Sequence, residues 1–444
     1  MSDDVLMHKR RGYATLAALT VVVVLICGAI YLGVGAAQGR TTVRTPSAGP
    51  AVWVGTWSAA PVEAVEAVEA AAPVQAVQAV QAVEAAATGT DMARTTAGHS
   101  VRNVVHTSIG GVAARVTLSN LLGRRPLEIA HVSLAVRAGR GPAAVPATLR
   151  RVTFQGAEAV TIAAGGQWVS DPVVLEIPYD GDLLVTVHAA DGPVTIHPRA
   201  RQTSYVADGD RTQDAGGEAY TGRIRAWHHL TAVDVLTREA RGAVVVVGDS
   251  ITDGVTSTSD ANRRWPDVLA DRLAGRGAGH YGVLNQGISG NRLLADGRGP
   301  STLARFDRDV LARSGAKTVI VAIGINDLLH ASPYVPAPTA DTITAGFAEL
   351  ADRAHARGLR VVGATLLPCG GHHRCTRAVE SVRDQVNATV RAGGIFDAVV
   401  DFDRALRDPY APNRLLPRYD SGDHLHPSDA GYARMAKAVD PARL

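Results

Sequence analysis

The chain lacks the charge pattern of a nucleic-acid-binding protein. Its 444 residues carry a formal net charge of only +3, and lysine occurs only at Lys9, Lys317 and Lys437. The arginines form no basic stripe, which would be the usual electrostatic signature of nucleic-acid binding. We therefore expect no nucleic-acid partner. Aromatic residues are scarce as well. The five tryptophans and five phenylalanines form no stripe typical of a lipid-binding surface.

The N-terminus does contain a long uncharged, mostly apolar run, residues 14–37, which follows the basic residues 8–11. As a helix this run would rise about 36 Å, enough to cross a bilayer. It is longer than the apolar region of a cleaved signal peptide, which has about 7–15 residues. We predict that residues 1–40 are a signal anchor with a transmembrane segment, and cleavage after Ala37 is the alternative. The basic flank places Gln38 and all later residues outside the cytoplasm.

Residues 41–100 are predicted to be a linker and a low-complexity insertion. The tract "VEAVEAVEAAAPVQAVQAVQAVEAAA" has a period of three, so its valines would drift by about 60° per repeat around a helix and form no stable apolar face. Residues 101–240 differ, because short β-branched segments alternate with Gly, Pro, Asp and Asn. This pattern predicts a β-rich accessory domain built as an antiparallel, sandwich-like structure.

From residue 241 to residue 444, apolar strands such as "AVVVVG" and "KTVIVAIG" alternate with helical stretches. This alternation predicts an α/β domain with a parallel sheet between layers of helices. In such folds ligands bind at the carboxyl ends of the strands. Ser250 and Asn326 both lie just past such ends.

Ser250 stands in "VVVVGDSITDG", which lacks the G-x-S-x-G pattern of the α/β-hydrolase nucleophile. By itself a serine between a strand and a helix is more often an N-cap. A serine nucleophile would need a base, a carboxylate that orients the base, and donors for an oxyanion. His426 is the candidate base, and Asp423 precedes it by three residues in "SGDHLHPSDAGY". His424 lies beside Asp423 but does not match this spacing.

Oxyanion donors must be fixed N–H groups that point to one place. The side-chain amide of Asn326, in "AIGIND", is one candidate, and the backbone N–H of Ser250 at a helix start is another. The segment "LNQGISGNR" adds Gly287 and Gly290, which allow a close approach of the backbone. Taken singly, each of these residues is explained as well by an ordinary turn.

Four blocks in order, Gly-Asp-Ser-Ile, Ser-Gly-Asn-Arg, Gly-Ile-Asn-Asp and Asp-x-x-His, resemble those of the SGNH (GDSL) hydrolase family. The resemblance covers roughly residues 243–444. Upstream, "WVGTWSAAP" and the strand-rich region look like the N-terminal part of secreted actinobacterial-type members, whereas the low-complexity tract departs from the family. The resemblance implies a flavodoxin-like three-layer fold and a reaction that requires no metal or cofactor. It assigns the nucleophile to Ser250, the base to His426, the orienting acid to Asp423, and the oxyanion donors to Ser250, Gly290 and Asn326.

These residues predict an exported serine esterase that hydrolyses carboxylic esters. The expected substrates are short acyl esters, with an acylated glycan as one hypothesis, and the expected membrane contact is made by the N-terminal segment. Two alternatives remain open: an acyltransferase that uses the same site, and an inactive surface protein that binds carbohydrate.

Cys369 and Cys375 flank "GGHHR" in a glycine-bearing loop. An exported compartment permits a disulfide, which we predict for this pair. The alternative is a zinc site that adds His372 and His373 as ligands. The tight spacing and the lack of a second Cys/His cluster nearby in the sequence favour the disulfide.

Overall fold

The structure is a computed structural model that describes residues 50–64, 96–192, 194–274, 280–330 and 337–444. The predicted membrane segment, residues 14–37, and nearly all of the low-complexity tract lie outside these residues. Within the described residues, no helix has the length and apolarity that crossing a membrane would require. From Pro50 onward the chain forms one compact unit.

The β-rich part, up to residue 237, consists of short strands that expose alternate residues. In β9, for example, Val173, Leu175 and Ile177 are buried, whereas Val174 and Glu176 are exposed. This period of two is that of a strand with one face on a core. The strands are β1 (Val52–Ser58), β2 (Val62–Glu63), β3 (His99–His106), β4 (Gly111–Ser119), β5 (Leu127–Val136), β6 (Arg150–Val152), β7 (Val160–Ile162), β8 (Gln167–Val169), β9 (Val173–Ile177), β10 (Asp182–Ala189), β11 (Thr195–His197), β12 (Ser204–Asp208), β13 (Gly222–Ile224), β14 (Trp227–His228) and β15 (Leu230–Thr237).

These strands form antiparallel sheets, as the sequence predicts. One sheet has the order β1-β15-β4-β8 with β9 beside β4, and a second has the order β13-β12-β3-β10-β5-β6 with β7 beside β5. A third, small sheet has the order β14-β11-β2. Val116 of the first sheet and Leu134 and Val185 of the second are fully buried in one common core.

The prediction of a linker and insertion over residues 41–100 is wrong for β1. This strand pairs with β15, so that Val54 lies opposite Val235. Val54 and Trp57 are buried, and the Trp57 ring packs edge-on against Trp227 with 4.8 Å between centroids. This short apolar segment is ordered by pairing with a strand far along the chain, and such a partner is not indicated by the local sequence pattern.

The C-terminal part has the predicted parallel sheet with helices. Its strands are β16 (Ala240–Gly248), β17 (His280–Gly287), β18 (Ala316–Ala322), β19 (Arg360–Ala364) and β20 (Ala398–Val400). Their order, β17-β16-β18-β19-β20, is the 2-1-3-4-5 order of flavodoxin-like folds. The helices are α1 (Ser250–Asp253), α2 (Trp265–Ala274), α3 (Thr302–Phe306), α4 (Ile325–Leu329), α5 (Ala340–His355), α6 (Arg377–Ala392), α7 (Phe402–Leu406) and α8 (Asp429–Ala438), and a π-helical turn, Asp307–Leu311, follows α3.

Strand β16, which lies between β17 and β18, brings the candidate site residues together. Its residues 243–247 are almost fully inaccessible to solvent, as expected for a strand covered on both faces. Gly248 at its end lies beside Gly287 of β17 and beside Ala322 of β18. The loops that follow these three strands therefore start at the same edge of the sheet.

Candidate active site

Ser250 lies at the first position of α1, directly after the turn that ends β16. The N-cap of this helix is Asp249, whose Oδ1 accepts a hydrogen bond from the Ile251 N–H at 3.0 Å. Asp249 therefore caps the helix, and the alternative explanation of Ser250 as the N-cap is wrong. The helix ends after one turn at Gly254, which has a φ of 90°.

Two glycines let α1 lie directly against the strand ends. A Cβ at Gly248 would stand 2.2 Å from Thr252 Oγ1, and a Cβ at Gly287 would stand 2.3 Å from the backbone nitrogen of Asp253. Any other residue at either position would push α1 away. The place of Ser250 relative to the sheet thus depends on both glycines.

His426 connects Ser250 to a carboxylate. Its Nε2 lies 2.8 Å from Ser250 Oγ, and its Nδ1 lies 2.5 Å from Asp423 Oδ2. Asp423 Oδ1 also accepts hydrogen bonds from the backbone N–H groups of Leu425, at 3.0 Å, and His426, at 2.8 Å. The carboxylate therefore holds both the ring and the backbone of the loop that carries His426.

The positions of the protons among Asp423, His426 and Ser250 follow from which groups accept hydrogen bonds. Burial raises the pKa of Asp423, but the hydrogen bond and charge of His426 and two backbone donors outweigh burial and hold this pKa well below its ordinary value. An ionised Asp423 only accepts, so Nδ1 of His426 donates to it. Nε2 is then free to accept the hydroxyl proton of Ser250.

His424 takes no part in this chain. Its Nδ1 lies 2.7 Å from Asp420 Oδ2, and its side chain is 46% exposed. Its backbone has a φ of 63°, in the left-handed region, which turns the loop between Asp423 and His426. The two histidines of the motif thus have different carboxylate partners, Asp420 for His424 and Asp423 for His426.

The residues predicted to stabilise an oxyanion lie on connected segments. Asn326 is in α4 and only 4% exposed, and its Nδ2 donates to the Asn291 carbonyl at 3.1 Å. Gly290, next to Asn291, has a φ of 79°. The same turn is joined to the end of β16, since the Ile288 N–H donates to the Gly248 carbonyl at 3.1 Å.

Arg305 of α3 braces these segments, and no motif in the sequence pointed to it. Its guanidinium donates to the carbonyls of Gly248, at 3.0 Å, and Gln286, at 2.8 Å, and to Asn291 Oδ1, at 3.1 Å. The side chain is completely buried and also pairs with Asp309 at 3.0 Å. One buried cation therefore ties the ends of β16 and β17 to the turn of Gly290.

Cys369 and Cys375 form a disulfide, as the sequence predicts. Because their sulfurs are bonded to each other, the alternative zinc site does not occur in this structure. The rings of His372 and His373 lie 4.4 Å apart in the same loop. Glu380 Oε1 accepts the Cys369 N–H at 3.1 Å and so joins this loop to α6.

Residues 246–434 match the model of the GDSL-like lipase/acylhydrolase family. A lipolytic protein of the G-D-S-L family from Desulfitobacterium hafniense is 25% identical, with 44% of this chain and 97% of that chain covered and a TM-score of 0.35. A GDSL-like lipase from Bacteroides thetaiotaomicron is 23% identical (46% and 87% covered, TM-score 0.34). An acetylxylan esterase from Geobacillus stearothermophilus is 22% identical (45% and 93% covered, TM-score 0.35). No curated protein matched the chain.

Proposed function

We propose that residues 246–434, which belong to the GDSL-like lipase/acylhydrolase family, are the catalytic part of a serine esterase that hydrolyses carboxylic esters. The observation that carries this proposal is the chain of hydrogen bonds from Asp423 through His426 to Ser250 Oγ. This is the arrangement of a nucleophile, its base and a carboxylate that orients the base.

In the proposed reaction, Ser250 Oγ attacks the acyl carbon while His426 Nε2 takes its proton. Ionised Asp423 stabilises the imidazolium that forms. The oxyanion of the tetrahedral intermediate is held by the backbone N–H groups of Ser250 and Gly290 and by Asn326 Nδ2. His426 then returns the proton to the departing alcohol. Water, activated by the same histidine, then attacks the acyl-enzyme. The carboxylic acid is released, and the Ser250 hydroxyl is regenerated.

The nucleophile is tested by Ser250→Ala. We expect loss of covalent labelling by a fluorophosphonate and turnover near background, because the variant lacks the hydroxyl that forms the acyl-enzyme in the proposed reaction. Ser381→Ala, a change on the exposed face of α6, is the matched control and should label and turn over like the wild type. Wild-type activity in a contaminant-free Ser250→Ala preparation would refute the proposal.

The substrates we propose are short acyl esters, including acyl groups on a glycan. Hydrolysis of p-nitrophenyl esters from acetate to palmitate, alongside acetylated polysaccharides, tests this choice. Greatest activity on palmitate would contradict it. Adding excess carbohydrate acceptor distinguishes hydrolysis from acyl transfer, because a transferase would make an acylated acceptor in place of free acid.

We also propose that the protein is tethered outside the cytoplasmic membrane by residues 14–37. The length of this apolar run and its basic flank support this location. Cell fractionation should place the intact chain in the membrane pellet. A soluble product that begins near Gln38 would show cleavage instead.

A further inference from the structure

A buried histidine of the β-rich part reaches the helix that carries Ser250. His197 ends β11, and its Nε2 lies 2.9 Å from Asp253 Oδ1. Its Nδ1 lies 2.8 Å from the carbonyl oxygen of Ala60. Only 5% of the His197 side chain and 3% of the Asp253 side chain are exposed. The pair therefore joins two distant parts of the chain in an environment that excludes water.

Asp253 extends this contact to the turn that precedes Gly290. Asp253 is the last residue of α1, and its Oδ2 accepts hydrogen bonds from both the N–H, at 3.1 Å, and the hydroxyl of Ser289. Ser289 is the residue directly before Gly290. A continuous chain of hydrogen bonds thus runs from Ala60 through His197 and Asp253 to a position adjacent to a proposed oxyanion donor.

Apolar contacts hold the same turn from the same side. Ile288 is buried together with Ala60 and Val62 in a small separate cluster. On the other side of His197, the ring of Trp227 packs against the imidazole with centroids 5.3 Å apart. The β-rich part therefore contacts Ile288 directly through apolar side chains and reaches Ser289 indirectly, through the bond of His197 to Asp253.

From this arrangement we infer that His197 is a positioning residue for the oxyanion site. It fixes the Asp253 carboxylate, and Asp253 in turn fixes α1, with the N–H of Ser250, relative to the turn that presents the N–H of Gly290. The β-rich part is then a component of the active site rather than a separate binding module. This inference rests on the proposed serine esterase function.

The electrostatics of the pair are consistent with a positioning role. Burial raises the pKa of Asp253, but the charge and hydrogen bond of His197 and the hydroxyl of Ser289 outweigh it and lower this pKa overall. A buried pair of ionisable side chains is seldom a better source of stability than an apolar pair of the same volume. Its directional bonds do, however, fix the carboxylate oxygens in a way that apolar packing cannot.

The test compares His197→Ala, Ser289→Ala and the double variant in kcat, KM and unfolding midpoint. Loss of an oxyanion donor's alignment lowers kcat and leaves KM largely unchanged. We expect His197→Ala to lower kcat roughly 10- to 100-fold, since a displacement of about 1 Å can cost about 100-fold. Fluorophosphonate labelling should slow in parallel. Because both changes break one chain of contacts, the double variant should lose little more than the more damaged single variant.

His106→Ala is the matched control, because it removes another histidine–carboxylate pair of the β-rich part. His106 Nδ1 lies 2.8 Å from Asp182 Oδ1, and its Nε2 lies 2.9 Å from Asp180 Oδ1, so both carboxylate partners belong to the β-rich part. The kcat of the His106→Ala variant should stay within about twofold of the wild-type value.

Ser289→Ala keeps the experiment decisive if His197→Ala folds poorly, because Ser289 is only half-buried. Wild-type kcat in Ser289→Ala, or losses that multiply in the double variant, would overturn the positioning role. Wild-type kcat in His197→Ala beside an inactive Ser250→Ala would also overturn it, yet leave the esterase proposal intact. An active Ser250→Ala would instead refute the esterase proposal itself.

Discussion

His426 Nε2 lies 2.8 Å from Ser250 Oγ although the two residues are 176 positions apart in the chain. The segments that carry them are joined next to the site, because Thr256 Oγ1 donates to the Pro427 carbonyl at 2.8 Å. This bond links the chain after α1 to the loop before α8. The distance between the proposed nucleophile and its base is thus supported by a neighbouring side-chain-to-backbone bond and not by the two side chains alone.

Replacing the two neighbouring histidines separately tests the choice of base. His426→Ala should reduce turnover to near background, because it removes the group that accepts the Ser250 proton in the proposed reaction. His424→Ala should do much less, since His424 pairs with Asp420. Steady-state hydrolysis of a p-nitrophenyl ester measures both. If only His424→Ala were inactive, the base would be misassigned while the reaction class survived.

The Asp423→Asn variant should fold but turn over up to roughly 10⁴-fold more slowly. An asparagine cannot hold the His426 ring in the required tautomer or stabilise the imidazolium. Asp420→Asn, which changes the carboxylate beside His424, is the control. Circular dichroism checks the fold and kcat measures the effect. Equal rates for the two variants would argue against an orienting role for Asp423.

Asn326→Ala removes a proposed oxyanion donor. Loss of one such donor typically lowers kcat by about 10²- to 10³-fold, or about 3–4 kcal/mol in the transition state. Since the donor acts on charge that develops only during the reaction, KM should change little. A loss confined to KM would instead indicate that Asn326 binds the substrate.

Asp249 should make stability depend on pH. Burial raises the pKa of this carboxyl from 3.8 to about 7. Between these values the folded chain binds a proton that the unfolded chain has released, so the free energy of unfolding falls as pH rises. The titration of Asp249 lowers the free energy of unfolding by at most roughly 1.4 kcal/mol per pH unit.

Asp249→Asn removes this titration while an asparagine can still cap α1. Urea unfolding at several pH values between about 4 and 7 should therefore show a weaker decline for the variant than for the wild type. Parallel curves would show that Asp249 does not titrate in this range.

The Cys369–Cys375 bridge should persist in exported protein. Loop-entropy arguments give at most about 2–3 kcal/mol for so short a loop. Mass spectrometry under non-reducing conditions should find the linked peptide. Two free thiols in natively exported material would contradict the prediction.

Features that depend on local pattern could be predicted from the sequence. Alternating apolar strands and helical stretches were sufficient to predict the parallel sheet, and short alternating segments predicted the antiparallel one. The spacing of Asp423 and His426 also placed both on one loop, because three residues leave few ways to separate them. The four motif blocks were sufficient to predict the remaining site residues without any knowledge of distances.

The partners of residues far apart in the chain could not be predicted in this way, and they are known from the folded structure. The cap of α1 could have been Ser250 or Asp249, and the geometry of the turn after Gly248 selected Asp249. Arg305 and His197 belong to no sequence motif. Each is a buried side chain whose role depends on the carbonyls or the carboxylate that it contacts, and these groups lie far away in the chain. Such partners have no period or fixed spacing in the sequence, and they come together only when the sheets and helices pack.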